Sequence, residues 1–164
     1  MDMFELDSTK RTFGVLIVDD EDYVRSILQV ALRHEGHTVW LAGDSREAFD
    51  LYRRHHESID VVLMDVRMPG RDGPQTLAAL QNLNPHIRCC FMSGNLGTYT
   101  EERLFDLGAV AIIPKPFHLD GLSQVLRNAI LDDRQAAIAN RQRDSAEANR
   151  QRDSAEKGVG SLFA

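Results

Sequence analysis

Apolar residues gather in short runs that end in charge. Val15-Leu16-Ile17-Val18 stops at Asp19-Asp20, and Ile59-Asp60-Val61-Val62-Leu63-Met64 stops at Asp65. Runs like these, rich in β-branched residues and apolar on both faces, suit strands buried in the middle of a parallel sheet. Ile87 to Met92 and Ala109 to Ile113 repeat the design, and Thr38 to Ala42 reads as a further strand. Between them the period becomes helical. Val24, Ile27, Leu28, Ala31 and Leu32 fall on one face of Asp22 to His34, and Gly36 is placed to end that helix in the left-handed conformation. Asp44 and Glu47 resemble a capping box for a helix to about His56. Shorter helices are expected from Thr76 to Leu83 and from about Tyr99 to Leu107, and a last one carries Leu119, Leu122, Val125, Leu126, Ala129 and Ile130 on one stripe. Five strands alternating with five helices predict an α/β fold whose parallel sheet is covered on both faces.

Composition sharpens this picture by exclusion. With 164 residues, 43% hydrophobic and 27% charged, the chain has room for one domain and a tail, and no apolar run reaches the ~18 to 20 residues of a membrane span. The first residues carry acids and lack the apolar core of a secretory signal, so a cytoplasmic location is expected. Cys89 and Cys90 are adjacent within a strand and point to opposite faces, which makes them small apolar residues rather than a disulfide or metal pair. The net charge is -6, and residues 14–131 hold 16 acids against 11 bases. Such an acidic domain argues against nucleic acid as a partner.

Residues 1–13 show no sustained period and read as a flexible leader. Residues 132–164 hold six acids and six bases, and Ala139–Glu147 is repeated exactly as Ala148–Glu156. A nine-residue repeat turns a helix by two and a half turns, so the two copies face opposite sides and no apolar seam forms. That segment is expected to be a helical extension or a disordered linker.

Chemistry enters through the strand ends, because ligands of a doubly wound sheet bind at the carboxyl edge. On its own, Asp65 is explained equally well as a turn cap. The set is another matter: Asp19 and Asp20 after the first strand, Asp65 after the third, Ser93 after the fourth and Lys115 after the fifth. Three carboxylates brought together need a compensating cation, and a hard divalent ion with oxygen ligands, Mg²⁺, fits best. Lys115 then offers a compact charge, and Ser93 a hydroxyl donor, to a phosphoryl group accepted by an aspartate.

The segments VLIVDDEDYVR (Val15 to Arg25), VLMDVRMPGRDG (Val62 to Gly73), MSG (Met92 to Gly94) and PKPF (Pro114 to Phe117) resemble the receiver domain of bacterial two-component response regulators. The likeness runs from about Val15 to Leu131, with 45, 28 and 22 residues separating Asp20, Asp65, Ser93 and Lys115. It implies a flavodoxin-like five-stranded parallel sheet in the order 2-1-3-4-5, with a receiver domain over residues 14–131. By that resemblance Asp65 is the phosphoacceptor, Mg²⁺ is bound by Asp20, Asp65 and the backbone carbonyl of Arg67, and Asp19 helps through water. Ser93 and Lys115 contact the phosphoryl group, and the Lys115-Pro116 bond is cis. The implied partners are a sensor histidine kinase or histidine phosphotransfer protein as donor, and a protein target docking near the fourth and fifth strands, with a homodimer as a further possibility.

One position departs from the pattern. Many receivers carry Tyr or Phe three residues before the lysine, where this chain has Ile112, so an aromatic rotamer switch is in doubt. Arg67 and Asn95 occupy positions that tune phosphoryl lifetime in the family. Two alternatives remain at this point. A haloacid-dehalogenase-like phosphatase shares the Asp, Mg²⁺, hydroxyl and Lys set but needs an Asp where Arg67 stands, and a pseudo-receiver would act without phosphorylation. The six histidines show no metal spacing and read as helix ends and strand edges.

Overall fold

The computed structural model describes residues 11–132 together with 147, 148 and 150. The chain folds as two compact units that divide after Ile130. Of the second unit the described residues are helical, and the expected linker with its nine-residue repeat otherwise lies outside the described residues, as does most of the expected leader.

The first unit alternates strands and helices: β1 (Gly14–Val18), α1 (Asp22–His34), β2 (Thr38–Ala42), α2 (Ser45–His55), β3 (Val61–Asp65), α3 (Gly73–Leu83), β4 (Cys89–Ser93), α4 (Glu101–Asp106) and β5 (Ala109–Pro114). A last helix, α5, covers 122–132. The five strands form one parallel sheet in the order β2-β1-β3-β4-β5, the doubly wound, flavodoxin-like arrangement. Successive strand residues feed opposite cores, as the period of two requires. Leu16, Val18, Val62, Met64 and Phe91 pack against α2, α3 and α4, while Val15, Ile17, Val61, Leu63 and Met92 pack against α1 and α5. Cys89 joins the first core and Cys90 the second, and both are free thiols. Burial pushes the Cys90 thiol up to about 12, and Cys89 rises for the same reason, so neither is a reactive thiolate.

Helix ends follow local chemistry, which accounts for the boundaries that periodicity misses. At the end of α1, Gly36 takes φ +91°, its N–H donates to Arg33 and that of His37 donates to Leu32, a Schellman closure. Asp44 caps α2 through the Glu47 N–H, but the Glu47 carboxylate accepts from Gly43 rather than Asp44, so the box is shifted by one residue. Helix α3 begins three residues before the expected Thr76. Asp72 and Gln75 make a full capping box there and Pro74 sits in the first turn, where no apolar residue betrays the start. Helix α4 is shorter than expected because Thr100, in extended backbone, already caps it through the Arg103 N–H.

Gly14 is a glycine for lack of space. A Cβ there would lie 1.8 Å from the Ser58 carbonyl oxygen, backbone that cannot swing away. Gly14→Ala is expected to cost about 3 kcal/mol, at the upper end of overpacking penalties, read as a lowered urea midpoint.

His37 is buried and structural, more deeply placed than a strand edge suggests. Its ring stacks on Phe13 with centroids 3.8 Å apart, Nδ1 accepts the Phe13 N–H, and Nε2 lies 3.1 Å from Ser123 Oγ. Burial lowers its pKa below the ordinary 6.5; Glu35 opposes the shift and Arg127 adds to it. A histidine lowered in the fold binds fewer protons there than in the unfolded chain. Its contribution to stability is therefore full above 6.5 and lost as pH falls through the folded-state value. Urea unfolding from about pH 7 to about pH 5 is expected to show this loss, and His37→Asn to flatten it.

Candidate functional site

The carboxyl edge of the sheet collects the site because β1 and β3 are neighbours, with Val18 beside Met64, and β4 and then β5 follow on the β3 side, Ser93 beside Pro114. Asp19 follows β1 and is fully buried, Asp65 closes β3 at 8% exposure, and Asp20 is exposed. Each of the three offers a carboxylate oxygen, and these oxygens lie within 4.8 Å of one another. Lys115 reaches into the group: its Nζ donates to Asp19 Oδ2 at 2.9 Å and stands 3.4 Å from Asp65 Oδ1. Three carboxylates against one ammonium leave two negative charges unmatched, which is the deficit a divalent cation fills.

Burial raises the Asp65 pKa, and the neighbouring Asp19 charge adds to it; Lys115 and the Arg67 N–H pull the other way without reversing the shift. For Lys115, burial alone would depress the ammonium. Its hydrogen bond and charge contacts with Asp19 and Asp65 outweigh that and hold it above its ordinary value, so it stays protonated. Ser93 Oγ is buried and, among the described residues, has no hydrogen-bond partner. An orphaned hydroxyl of this kind costs stability unless something else takes its bond. The Lys115 N–H donates to the Ser93 carbonyl, and the Lys115-Pro116 peptide is cis, as expected.

Glycines keep the acid edge open. A Cβ at Gly73 would meet the Asp65 carbonyl oxygen at 2.3 Å, so the loop after β3 can return this close only without a side chain. Every sequence-expected residue lies at this edge: Asp19, Asp20, Asp65, Ser93 and Lys115, with Arg67 exposed two residues beyond Asp65. Ile112 is half-buried against the α2–α3–α4 core, which Tyr99 and Leu96 also pack against. Tyr99 donates to the Asp72 carboxylate at 2.9 Å and so joins the loops after β4 and β3. Sequence reasoning missed that bond, and it also missed Arg25, whose guanidinium reaches Asp19.

A doubly wound sheet with acids, a hydroxyl and a lysine converging on its carboxyl edge is the arrangement that the resemblance to receiver domains implies. Matching with known families agrees: the response regulator receiver domain model fits residues 15–127, and the chain belongs to that family. It is 34% identical over 116 residues to regulatory protein AtoC of Escherichia coli (strain K12), a match covering 71% of this chain and 25% of that one. Against sporulation initiation phosphotransferase F of Bacillus subtilis (strain 168) it is 30% identical over 115 residues, covering 69% and 90%. Among solved structures, a chain of the CheX–CheY–BeF3–Mg complex from Borrelia burgdorferi superposes with a TM-score of 0.63 at 29% identity, covering 68% of this chain and 84% of that one. The chain spans about a quarter of the length of regulators such as AtoC. Among the described residues no helix is long and apolar enough to cross a membrane.

Proposed function

We propose that this receiver takes a phosphoryl group onto Asp65 from the phosphohistidine of a sensor histidine kinase or histidine phosphotransfer protein, in a Mg²⁺-dependent step, and signals by docking to a protein. An Asp65 carboxylate oxygen attacks phosphorus while the P–N bond to the donor imidazole breaks, the nitrogen leaving with the electron pair and taking a proton from solvent. Asp20, Asp65 and the Arg67 carbonyl would hold the metal, with Asp19 acting through water. When bound, Mg²⁺ neutralises the carboxylates and the developing charge on the phosphoryl oxygens. Lys115 supplies a fixed positive charge and Ser93 its free hydroxyl to those same oxygens.

The observation that carries this reading is Lys115 spanning Asp19 and Asp65 with two negative charges left over. The unpartnered Ser93 hydroxyl supports it. Output is assigned to the face around β4 and β5, where Phe105 is 48% exposed and Val110, Ala111 and Ile112 are half-buried; a target protein or a second copy would dock there. We place the receiver in residues 14–131 with 132–164 as a linker or helical arm, and the protein in the cytoplasm.

A small-molecule phosphodonor with Mg²⁺ tests the reading. Labelling should reach one phosphate per chain, stop when the metal is chelated, and slow roughly a hundredfold in Ser93→Ala, the scale of losing one donor to a developing oxyanion. Because the buried hydroxyl has no partner to lose among the described residues, that variant should keep or raise its urea midpoint. Sustained hydrolysis of a phosphate ester would instead make the protein a phosphatase, and absence of any labelling a pseudo-receiver.

A further inference from the structure

Arg25 lies one turn into α1, and its side chain is only 17% exposed. One guanidinium nitrogen donates to the backbone carbonyl of Asp19 at 2.5 Å, and the other to the Asp22 carboxylate. The group lies close against Gly43, where there is no side chain. A Cβ built on Gly43 would lie 3.2 Å from Arg25 Nη1 and 3.4 Å from its Cζ. Gly43 is not in the left-handed region, so its backbone does not require a glycine, and a side chain there would press on the guanidinium of Arg25.

This contact completes the immobilisation of Asp19. Its N–H donates to Ala42, Oδ1 accepts from the Glu21 N–H, Oδ2 accepts from Lys115, and its carbonyl accepts from Arg25. That carbonyl belongs to the peptide plane that continues into Asp20, whose exposed carboxylate must stand near Asp65 to share a cation. Holding a long charged side chain still costs up to ~2 kcal/mol of rotamer freedom, which the two hydrogen bonds of Arg25, to the Asp19 carbonyl and the Asp22 carboxylate, offset.

We infer that Arg25 is a positioning residue of the metal site, gripping the Asp19–Asp20 peptide from the notch left by Gly43 and so fixing Asp20 against Asp65. The inference rests on the proposed Mg²⁺ site. Its sign is diagnostic. Arg25 is a cation, so if it acted only through charge, removing it would tighten Mg²⁺ binding; a positioning role requires the opposite.

Calorimetric titration of the full chain with Mg²⁺ decides between these. Arg25→Ala is expected to weaken binding roughly tenfold, the low end for losing an outer-shell partner of a metal ligand, and Arg25→Lys to recover part of it, since an ammonium can still donate to the Asp19 carbonyl. Gly43→Ala, whose Cβ presses on the guanidinium, should weaken binding less than Arg25→Ala does, and should add nothing once Arg25 is already Ala, because the two changes act through one contact. In phosphodonor labelling, Arg25→Ala should raise the half-saturating Mg²⁺ concentration and regain the wild-type rate at saturation. Unchanged or tighter Mg²⁺ binding in Arg25→Ala, with or without a lowered urea midpoint, overturns the inference, as does additivity of the two substitutions. If wild type itself binds no Mg²⁺, the proposed function falls first and this inference with it.

Discussion

Asp65→Asn is expected to take up no phosphate from any donor while folding at least as well as the wild type. The amide has the shape of the carboxylate but no nucleophilic oxygen, so the chemical step has no acceptor. Stability should hold because the carboxylate sits in a place that disfavours its charge: burial and Asp19 raise its pKa despite Lys115. A carboxylate raised in the fold binds its proton more tightly there than in the unfolded chain, so its ionised form opposes folding at neutral pH. Asn removes that opposition and leaves the Lys115–Asp19 bond in place. Labelling and urea unfolding on the same preparation check both halves, and a variant that loses phosphate uptake only because it unfolds would show in the second.

Lys115→Met has the next largest effect, and it strikes function and fold together. Losing the fixed charge beside the acceptor should slow labelling by roughly 10² to 10³, the range for removing one electrostatic stabiliser of a developing anion. The fold suffers because Asp19 is fully buried and Lys115 is the partner of its Oδ2. Breaking one side of such a pair costs about 3 kcal/mol, since the remaining charge stays buried. The same change removes a cation from the acid cluster, so Mg²⁺ should bind more tightly to this variant and restore part of its stability by mass action. Measured together, the three responses separate Lys115 from Arg25, whose loss is expected to weaken the metal.

What the sequence made legible was whatever repeats or ends abruptly. The bounds of α1 and β2 agree with the periodicity residue for residue, because a 13-residue amphipathic helix closed by Gly36 and a short β-branched strand leave little choice. Asp19, Asp20, Asp65, Ser93 and Lys115 were legible as a set because each follows or closes a buried strand, and a parallel sheet sends such residues to one edge. Helix α3 was misjudged at its start although Asp72 and Gln75 spell a capping box, since its large apolar residues begin only at Leu77. Tertiary partners were the true blind spot. Nothing near His37 in sequence announces Ser123, 86 residues on, and nothing near Arg25 announces that its guanidinium lies close against Gly43. Those are facts about packing between elements, which a one-dimensional pattern does not carry.

The direct test of Asp65 as the acceptor is the location of the phosphate. Wild-type protein labelled with a phosphodonor and Mg²⁺, trapped by chemical reduction of the acyl phosphate, and fragmented in a mass spectrometer should carry a single modification on Asp65. A reduction product at Asp19 or Asp20, or phosphate uptake that leaves no reduction product on Asp65, would contradict it.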